Sequence, residues 1–250
     1  MFNSIKTFLK IIKIYRNWPT VICDVLRLKR GNYICRMRNG LNFRVRSKEK
    51  DVNIINEVFI SRSYHNALKM LNKESVVIDI GGHIGSFAIL AGKIAKQGKV
   101  YSYEPFQGSY KILSENILLN ELSNVKAYNL AVTGNKNKTI KLYIKTIGED
   151  FAGNSLYGSG ENVTVNTTNL AKIFSFNKIK RCDLLKIDCE GAEYEILYNT
   201  PRKIFDKINN IALEYHTPFG DHIKLKSYIE KMGFQVTETS KGVYFAYRKS

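Results

Sequence analysis

Three groups of residues in this 250-residue chain have the types and spacing that chemistry needs. The first begins in the run Val76 to Gly85, Val-Val-Ile-Asp-Ile-Gly-Gly-His-Ile-Gly. Asp79 stands where an apolar strand pattern stops, and Gly81, Gly82 and Gly85 make the turn that follows. Glycine permits positive φ and close backbone approach, so a strand, turn and helix in this order open a ligand crevice at the strand's carboxyl end. Glu104 belongs to the same group: it ends the next strand pattern, nineteen residues after Gly85. A doubly wound sheet brings an acid at that offset beside the turn, where it can accept both hydroxyls of a ribose. The second group is Leu185 to Glu193. Asp188 ends a buried strand pattern and points into the same crevice. Glu190 and Glu193 bracket a helix start, where carboxylates suit the helix dipole and plain capping is the simpler reading. The third is Glu214-Tyr215-His216, which ends a further strand. A histidine there can act as a general base, because its ordinary pKa is about 6.5; a satisfied, half-buried histidine is the competing reading.

The order of these groups narrows the ligand. A dinucleotide fold wants G-x-G-x-x-G to seat a pyrophosphate. Here the turn is Gly-Gly-His-Ile-Gly with an aspartate ahead of it, which would repel a diphosphate but suit a cation. S-adenosylmethionine, with its amino group and sulfonium, is such a ligand: amino group toward Asp79, amino-acid moiety at the turn, ribose on Glu104. The expected cofactor contacts are Asp79, Gly81, Gly82, His83, Gly85, Glu104, Pro105 and Asp188. For chemistry the expectation is His216 as base, with Asp188 orienting it or the substrate, and Glu190 and Glu214 as substrate or orienting groups. Asp188, Glu190, Glu214 and His216 could also cage a divalent cation, although no metal is expected.

Elements must position these groups. Residues 2 to 15 place Phe2, Ile5, Phe8, Leu9, Ile12 and Tyr15 at helical spacing with Lys6, Lys10 and Lys13 between them. That is a basic amphipathic helix, suited to an anionic membrane surface or to capping a core. A second helix over 21 to 28 follows Pro19. Asn39-Gly40 between 33–38 and 41–46 predicts a hairpin, Asp51 an N-cap for a helix through Phe59, and 64–71 another helix. This forepart carries no obvious chemistry. Strands then alternate with helices: strands over 76–80, 99–103, 125–132, 183–188 and 208–215, helices over 84–94, 107–122, 168–174, 192–198 and 224–232. Extra strands over 139–144 and 162–167 flank a loop with Gly148, Gly153, Gly158 and Gly160 that could close over a site. Strands over 234–237 and 243–248 end the chain with no helix between them, so one should run antiparallel. The fold class is α/β, a mostly parallel sheet covered on both faces. The boundary falls between an N-terminal extension, 1–72, and a catalytic domain, 73–250.

Composition sets limits. With 44% hydrophobic and 24% charged residues the chain can bury a core, and no run approaches a membrane span. The start lacks a signal-peptide pattern. Cys23, Cys35, Cys182 and Cys189 show no metal or disulfide spacing, so reduced thiols and a cytoplasmic location are expected, with peripheral membrane contact through residues 2–15 left open. Residues 1–50 hold thirteen Lys or Arg against Asp24 and Glu49, a balance of +11 out of the +17 of the whole chain. Such a forepart suggests lipid headgroups, nucleic acid or an acidic glycan as partner, or simply a solvated face.

With these pieces assembled, the chain resembles the FkbM-type S-adenosylmethionine-dependent methyltransferases. The resemblance rests on Val77-Ile-Asp-Ile-Gly-Gly-His-Ile-Gly85, Tyr103-Glu-Pro105, Asn116 to Asn120 followed by Asn124-Val125, Ala131-Val132, and Lys186-Ile-Asp-Cys-Glu-Gly-Ala-Glu193. It covers about residues 51 to 216, with Arg38-Asn39-Gly40 and Asp51 as lead-in, and its most specific run is Asp-Cys-Glu-Gly-Ala-Glu. It implies a seven-stranded Rossmann-like methyltransferase fold and O-methylation of a sugar, glycan, lipid-linked or secondary-metabolite hydroxyl. Gly82 stands where many relatives have alanine, a change expected to be harmless. Two rivals stay open: a ribose methyltransferase acting on RNA through the basic forepart, and a binding or membrane-tethering module that keeps the fold without activity. No Asn-Pro-Pro-Tyr or Asp-Pro-Pro-Tyr run follows the fourth strand, as a base-amine methylator would want.

Overall fold

A computed structural model describes residues 5–61, 63–135, 137–144 and 160–248. Expectations for Phe2 and for Gly148, Gly153 and Gly158 fall outside these residues. In the forepart, α1 (Ile5–Ile14) and α2 (Trp18–Val25) precede a hairpin of β1 (Tyr33–Arg36) and β2 (Asn42–Val45), with Gly40 in its turn at φ +89°. α3 (Asp51–Asn56) widens into a π turn (Glu57–Ser61), and α4 (His65–Lys69) leads to the main sheet. That sheet begins β3 (Val76–Ile80), α5 (Ser86–Ile94), β4 (Lys99–Tyr103), α6 (Gln107–Leu119) and β5 (Val125–Tyr128). A side sheet follows, of β6 (Ala131–Val132), β7 (Thr139–Tyr143) and β8 (Asn162–Thr168), and after it α7 (Leu170–Phe176). The chain closes with β9 (Leu184–Ile187), α8 (Glu193–Tyr198), α9 (Arg202–Phe205), β10 (Asn210–Glu214), α10 (His222–Lys231), β11 (Gln235–Ser240) and β12 (Val243–Tyr247).

The main sheet has seven strands in the order β11-β12-β10-β9-β3-β4-β5. β12 runs antiparallel to both its neighbours and the other pairings are parallel, as the missing final helix requires. Strand order reverses between β3 and β9, and ligand crevices form at such switch points. Alternate residues serve opposite faces. Ile78, Ile80, Leu185, Ile187, Ile211 and Leu213 join the core under α7 to α10, whereas Val77, Val100, Leu184 and Ala212 join the one under α4, α5 and α6. Both faces are covered, which is why these strands read as nearly unbroken apolar runs.

Three local expectations shift. The single strand expected over 125–132 splits at Asn129, whose Nδ2 donates to the carbonyls of Glu104 (2.9 Å) and Pro105 (2.8 Å); β6 then leaves to pair with β8. Lys50, not Asp51, is the N-cap of α3. The fully buried Asp51 carboxylate instead takes the Arg46 guanidinium in two bonds of 3.0 and 2.7 Å. α1 packs its inner face onto the protein: Ile11 and Tyr15 are buried with Phe43, Ile84, Ile89 and Ile112, so the forepart seals against α5 and α6.

The asparagines of α6 hold this arrangement. Asn116 accepts from Arg44 N (2.6 Å) and donates to Arg44 O (3.1 Å) and Ile84 O (2.9 Å). Asn120, one turn later, accepts from Asn42 N (2.9 Å) and donates to Asn42 O (2.6 Å). The amides complete the open edge of β2 as a further strand would, satisfying backbone groups that burial would otherwise orphan. Asn124 does the same for the end of α5, through Gly92 O and Ala95 O. Replacing Asn116 with alanine leaves Arg44 and Ile84 backbone groups unpaired, and should cost about 3 kcal/mol of unfolding free energy in urea titrations.

Candidate active site

A cavity of about 290 Å³ lies at the carboxyl ends of β3, β4, β9 and β10. Its floor is the glycine turn. Gly81 sits at φ +80°, and a Cβ there would run into the carbonyl of Asp188 across the β3–β9 seam. The N–H groups of Gly81 and Gly82 both donate to Tyr103 O, at 3.0 Å each. His83 takes φ +45°, a left-handed conformation that histidine adopts more readily than most residues. That turn aims its N–H at Glu104 Oε2 (2.8 Å), while Phe106 N–H meets Oε1 (2.8 Å). Glu104 is therefore fixed by the loop it faces; burial pushes its pKa up to about 7 against these two bonds. Burial likewise drives the His83 imidazole down to about 4, so it is neutral. Its Nδ1 lies 3.9 Å from Asp51 Oδ1, too far for a hydrogen bond, and neither ring nitrogen has a hydrogen-bond partner among the described residues. Gly82 is not freely replaceable, because a Cβ would fall on Ser102 Oγ, whose hydroxyl donates to Asp79 at 2.7 Å. Glycine at this position leaves Ser102 room to reach Asp79, where an alanine Cβ would press on that hydroxyl.

Asp79 itself is fully buried and absent from the cavity wall. Its Oδ2 accepts from Ser102, and its Oδ1 lies 3.3 Å from the ammonium of Lys186, an ion-pair contact without hydrogen-bond geometry. Asp79 thus shapes the turn from behind, and direct contact with a ligand's amino group is not available to it in this arrangement. Lys186 also donates to Gly81 O (2.8 Å) and approaches Asp188 Oδ2 (3.4 Å). Burial pulls the Lys186 pKa down, but Asp188, Asp79 and Glu214 outweigh it and hold the ammonium above its usual value.

Beyond Lys186 stands a carboxylate group only partly foreseen. Asp188 and Glu214 line the cavity as expected, joined by Glu57 from the π turn and Tyr64. The Tyr64 hydroxyl lies 3.2 Å from Asp188 Oδ2 and 3.1 Å from Glu214 Oε2. Burial, then the charges of Asp188 and Glu57, push Glu214 up to about 8. Glu57 is raised too, by burial and Asp188. The forepart reaches the cavity as well: Lys50, Asn53, Ile54, Glu57 and Val58 line it at helical spacing. That stripe and the lysine inside an apolar strand were the signals available in the sequence.

His216, the expected general base, stands apart from the other expected groups. It does not line the cavity. Its Nδ1 and backbone N–H both meet Glu193 Oε1 at 2.9 Å, and Nε2 lies 3.6 Å from Glu190. Burial lowers its pKa, yet the bond to Glu193, then Glu193, Glu190 and Asp188 as charges, raise it to about 9. These neighbours favour the imidazolium, which has no lone pair to give, over the free base. Glu193 is not a helix cap either; its buried carboxylate also accepts from Gly191 N (2.9 Å). Asp188, Glu214 and His216 do bring one donor atom each within 4.8 Å of one another, but a metal would first have to displace the imidazolium proton. A histidine held charged stabilises the fold fully below pH 6.5, and that contribution is lost as pH rises through 9. The stability gap between wild type and His216→Gln, measured by urea denaturation, should shrink between pH 6.5 and 9.

The walls suit S-adenosylmethionine. Glu57, Glu104, Asp188, Glu190 and Glu214 offer hydrogen-bond acceptors for an amino group and hydroxyls, and Ile80, Phe87, Tyr103, Pro105 and Val132 give apolar surface for an adenine. Comparison with known proteins agrees. The model of the Methyltransferase FkbM domain matches residues 79–236. Methyltransferase sdnD of Sordaria araneosa is 26% identical over 215 residues, covering 74% of this chain and 82% of its own. Methyltransferase 1 of Beauveria bassiana is 27% identical over 201 residues, covering 72% and 79%. The crystal structure of Methyltransferase FkbM from Methylobacillus flagellatus superposes with a TM-score of 0.50 at 16% identity. It covers 71% of this chain and 44% of that longer one, a likeness of fold alone. The chain belongs to the FkbM methyltransferase family and uses S-adenosylmethionine.

Proposed function

We propose that the protein methylates a hydroxyl oxygen of a sugar, glycan, lipid-linked or secondary-metabolite acceptor, and that Glu214 takes the hydroxyl proton. One observation carries this reading. Asp188 and Glu214 share a cavity wall with the glycine turn and Glu104, and Glu214 is held at about 8, close to neutral pH. A hydroxyl is a poor nucleophile and needs such a base, typically worth about 10²–10⁴-fold. Bound at the turn, S-adenosylmethionine supplies a methyl group on a sulfonium leaving group. Gly81, Gly82 and Glu104 would hold its amino-acid and ribose portions, and Asp188, in place of Asp79, its amino group. The remaining help is alignment of acceptor oxygen against the methyl carbon at near-attack distance. His216 and Glu193 lock the segment from 189 to 193 that carries Glu190 beside the cavity.

A labelled-methyl transfer screen over glycans, hydroxylated lipids and RNA tests the reading, with transfer to a hydroxylated glycan or lipid expected. Methylation of RNA, or binding of S-adenosylmethionine with no transfer to any hydroxyl, would overturn it. Glu214→Gln should lower turnover by about 100-fold while S-adenosylhomocysteine binding by calorimetry persists. Turnover in the wild type should climb as pH approaches 8. If His216→Gln abolishes turnover in a folded, cofactor-binding protein and Glu214→Gln does not, the base is misassigned.

A further inference from the structure

The family match starts at Asp79, yet the carboxylate pair of the cavity is closed by a residue ahead of it. Tyr64 is 3% exposed, with its hydroxyl 3.1 Å from Glu214 Oε2 and 3.2 Å from Asp188 Oδ2. Its ring meets Phe87 edge-on at 5.5 Å between centroids and carries the Lys186 ammonium 5.7 Å above its centre. Both contacts fix where the hydroxyl points. A phenol has one proton and two lone pairs. Between two carboxylates that proton serves only one, and the second contact then sets oxygen lone pairs against each other. One further proton removes the conflict: protonated Glu214 donates to the Tyr64 oxygen, and Tyr64 donates to Asp188.

We propose that Tyr64 is a positioning residue for the methyl transfer: through its hydroxyl it joins Glu214 and Asp188 into a pair holding one proton, and it fixes the Glu214 carboxylate on the cavity wall. This rests on the reading of Glu214 as base. In the step itself the acceptor O–H bond breaks and its proton goes to ionised Glu214. The acceptor oxygen bonds to the methyl carbon, and the electron pair of the broken carbon–sulfur bond stays on sulfur. The groups facing Glu214 are Asp188 after β9, Glu57 on the π turn, His216 beyond its own strand, Tyr64 ahead of α4, and Lys186 on β9. Asp188 and Glu57 favour its neutral form and His216 the anion; the Tyr64 hydroxyl favours the anion where it donates to Glu214 and the neutral acid where it accepts from it.

The test is a carboxyl titration by NMR of the full chain labelled with ¹³C at the glutamate side-chain carboxyls, assigned with Glu214→Gln. Tyr64→Phe keeps the ring on Phe87, so the variant should still fold and bind S-adenosylhomocysteine. The Glu214 midpoint should lie near 8 in the wild type and about one pH unit lower in Tyr64→Phe, where the protonated acid has lost its acceptor. The pH dependence of turnover, with the acceptor found in the screen, should move by the same amount. A Glu214 midpoint that is ordinary in the wild type, or unmoved in folded Tyr64→Phe, overturns the proposal. A midpoint that moves while the turnover profile does not keeps the proton-sharing pair and overturns Glu214 as base.

Discussion

One buried ammonium holds the centre of this molecule. Lys186 lies on β9 where the strand order reverses, and its Nζ reaches Gly81 O, Asp79, Asp188 and the ring of Tyr64. A lone charge at such a place would cost several kcal/mol in lost solvation, so the surrounding carboxylates are a requirement of its burial. The contacts span β3, its glycine turn, β9 and the segment before α4. The turn, the acid pair and the forepart thus share one electrostatic anchor.

The anchor also explains how the other charges are sorted. Asp79 and Asp188 answer Lys186 from opposite sides, one behind the turn and one in the cavity. Glu214 has no cation so close, and burial beside Asp188 and Glu57 favours its protonated form. Two of the four histidines, His83 and His216, go opposite ways for the same kind of reason. His83 is buried without a hydrogen-bonded carboxylate and stays neutral, whereas His216 has Glu193 at 2.9 Å and stays charged. Residue type alone does not tell a base from a clamp; the neighbouring oxygen does.

The forepart changes meaning in the same light. Its hairpin is tied to α6 by Asn116 and Asn120, and its α3 is tied to the hairpin by Asp51 and Arg46. Those ties bring Glu57 and Tyr64 over the crevice. A segment ahead of the residues matched to the family therefore completes the cavity wall. Its basic residues are a separate matter, since among the described residues no helix is long and apolar enough to cross a membrane.

Much of this was legible in the chain. Period-2 and helical patterns, the glycine turn and acids at strand ends determined the α/β order, the crevice and Glu104, because those signals come from backbone sterics and local burial. The final antiparallel strand followed from a missing helix. Asp79 was legible as important but not as buried, because only the partner strand shows that Lys186 occupies its carboxylate. His216 was legible as an ionisable group at a strand end; its charge depends on Glu193, twenty-three residues away. Tyr64 carries no local mark of a role and Glu57 only its place in a helical stripe, since their partners lie on β9, β10 and the loops beyond. What the sequence determined was where a ligand crevice must open. What only the tertiary structure decided was which groups there are charged, because a pKa answers to neighbours brought together through space.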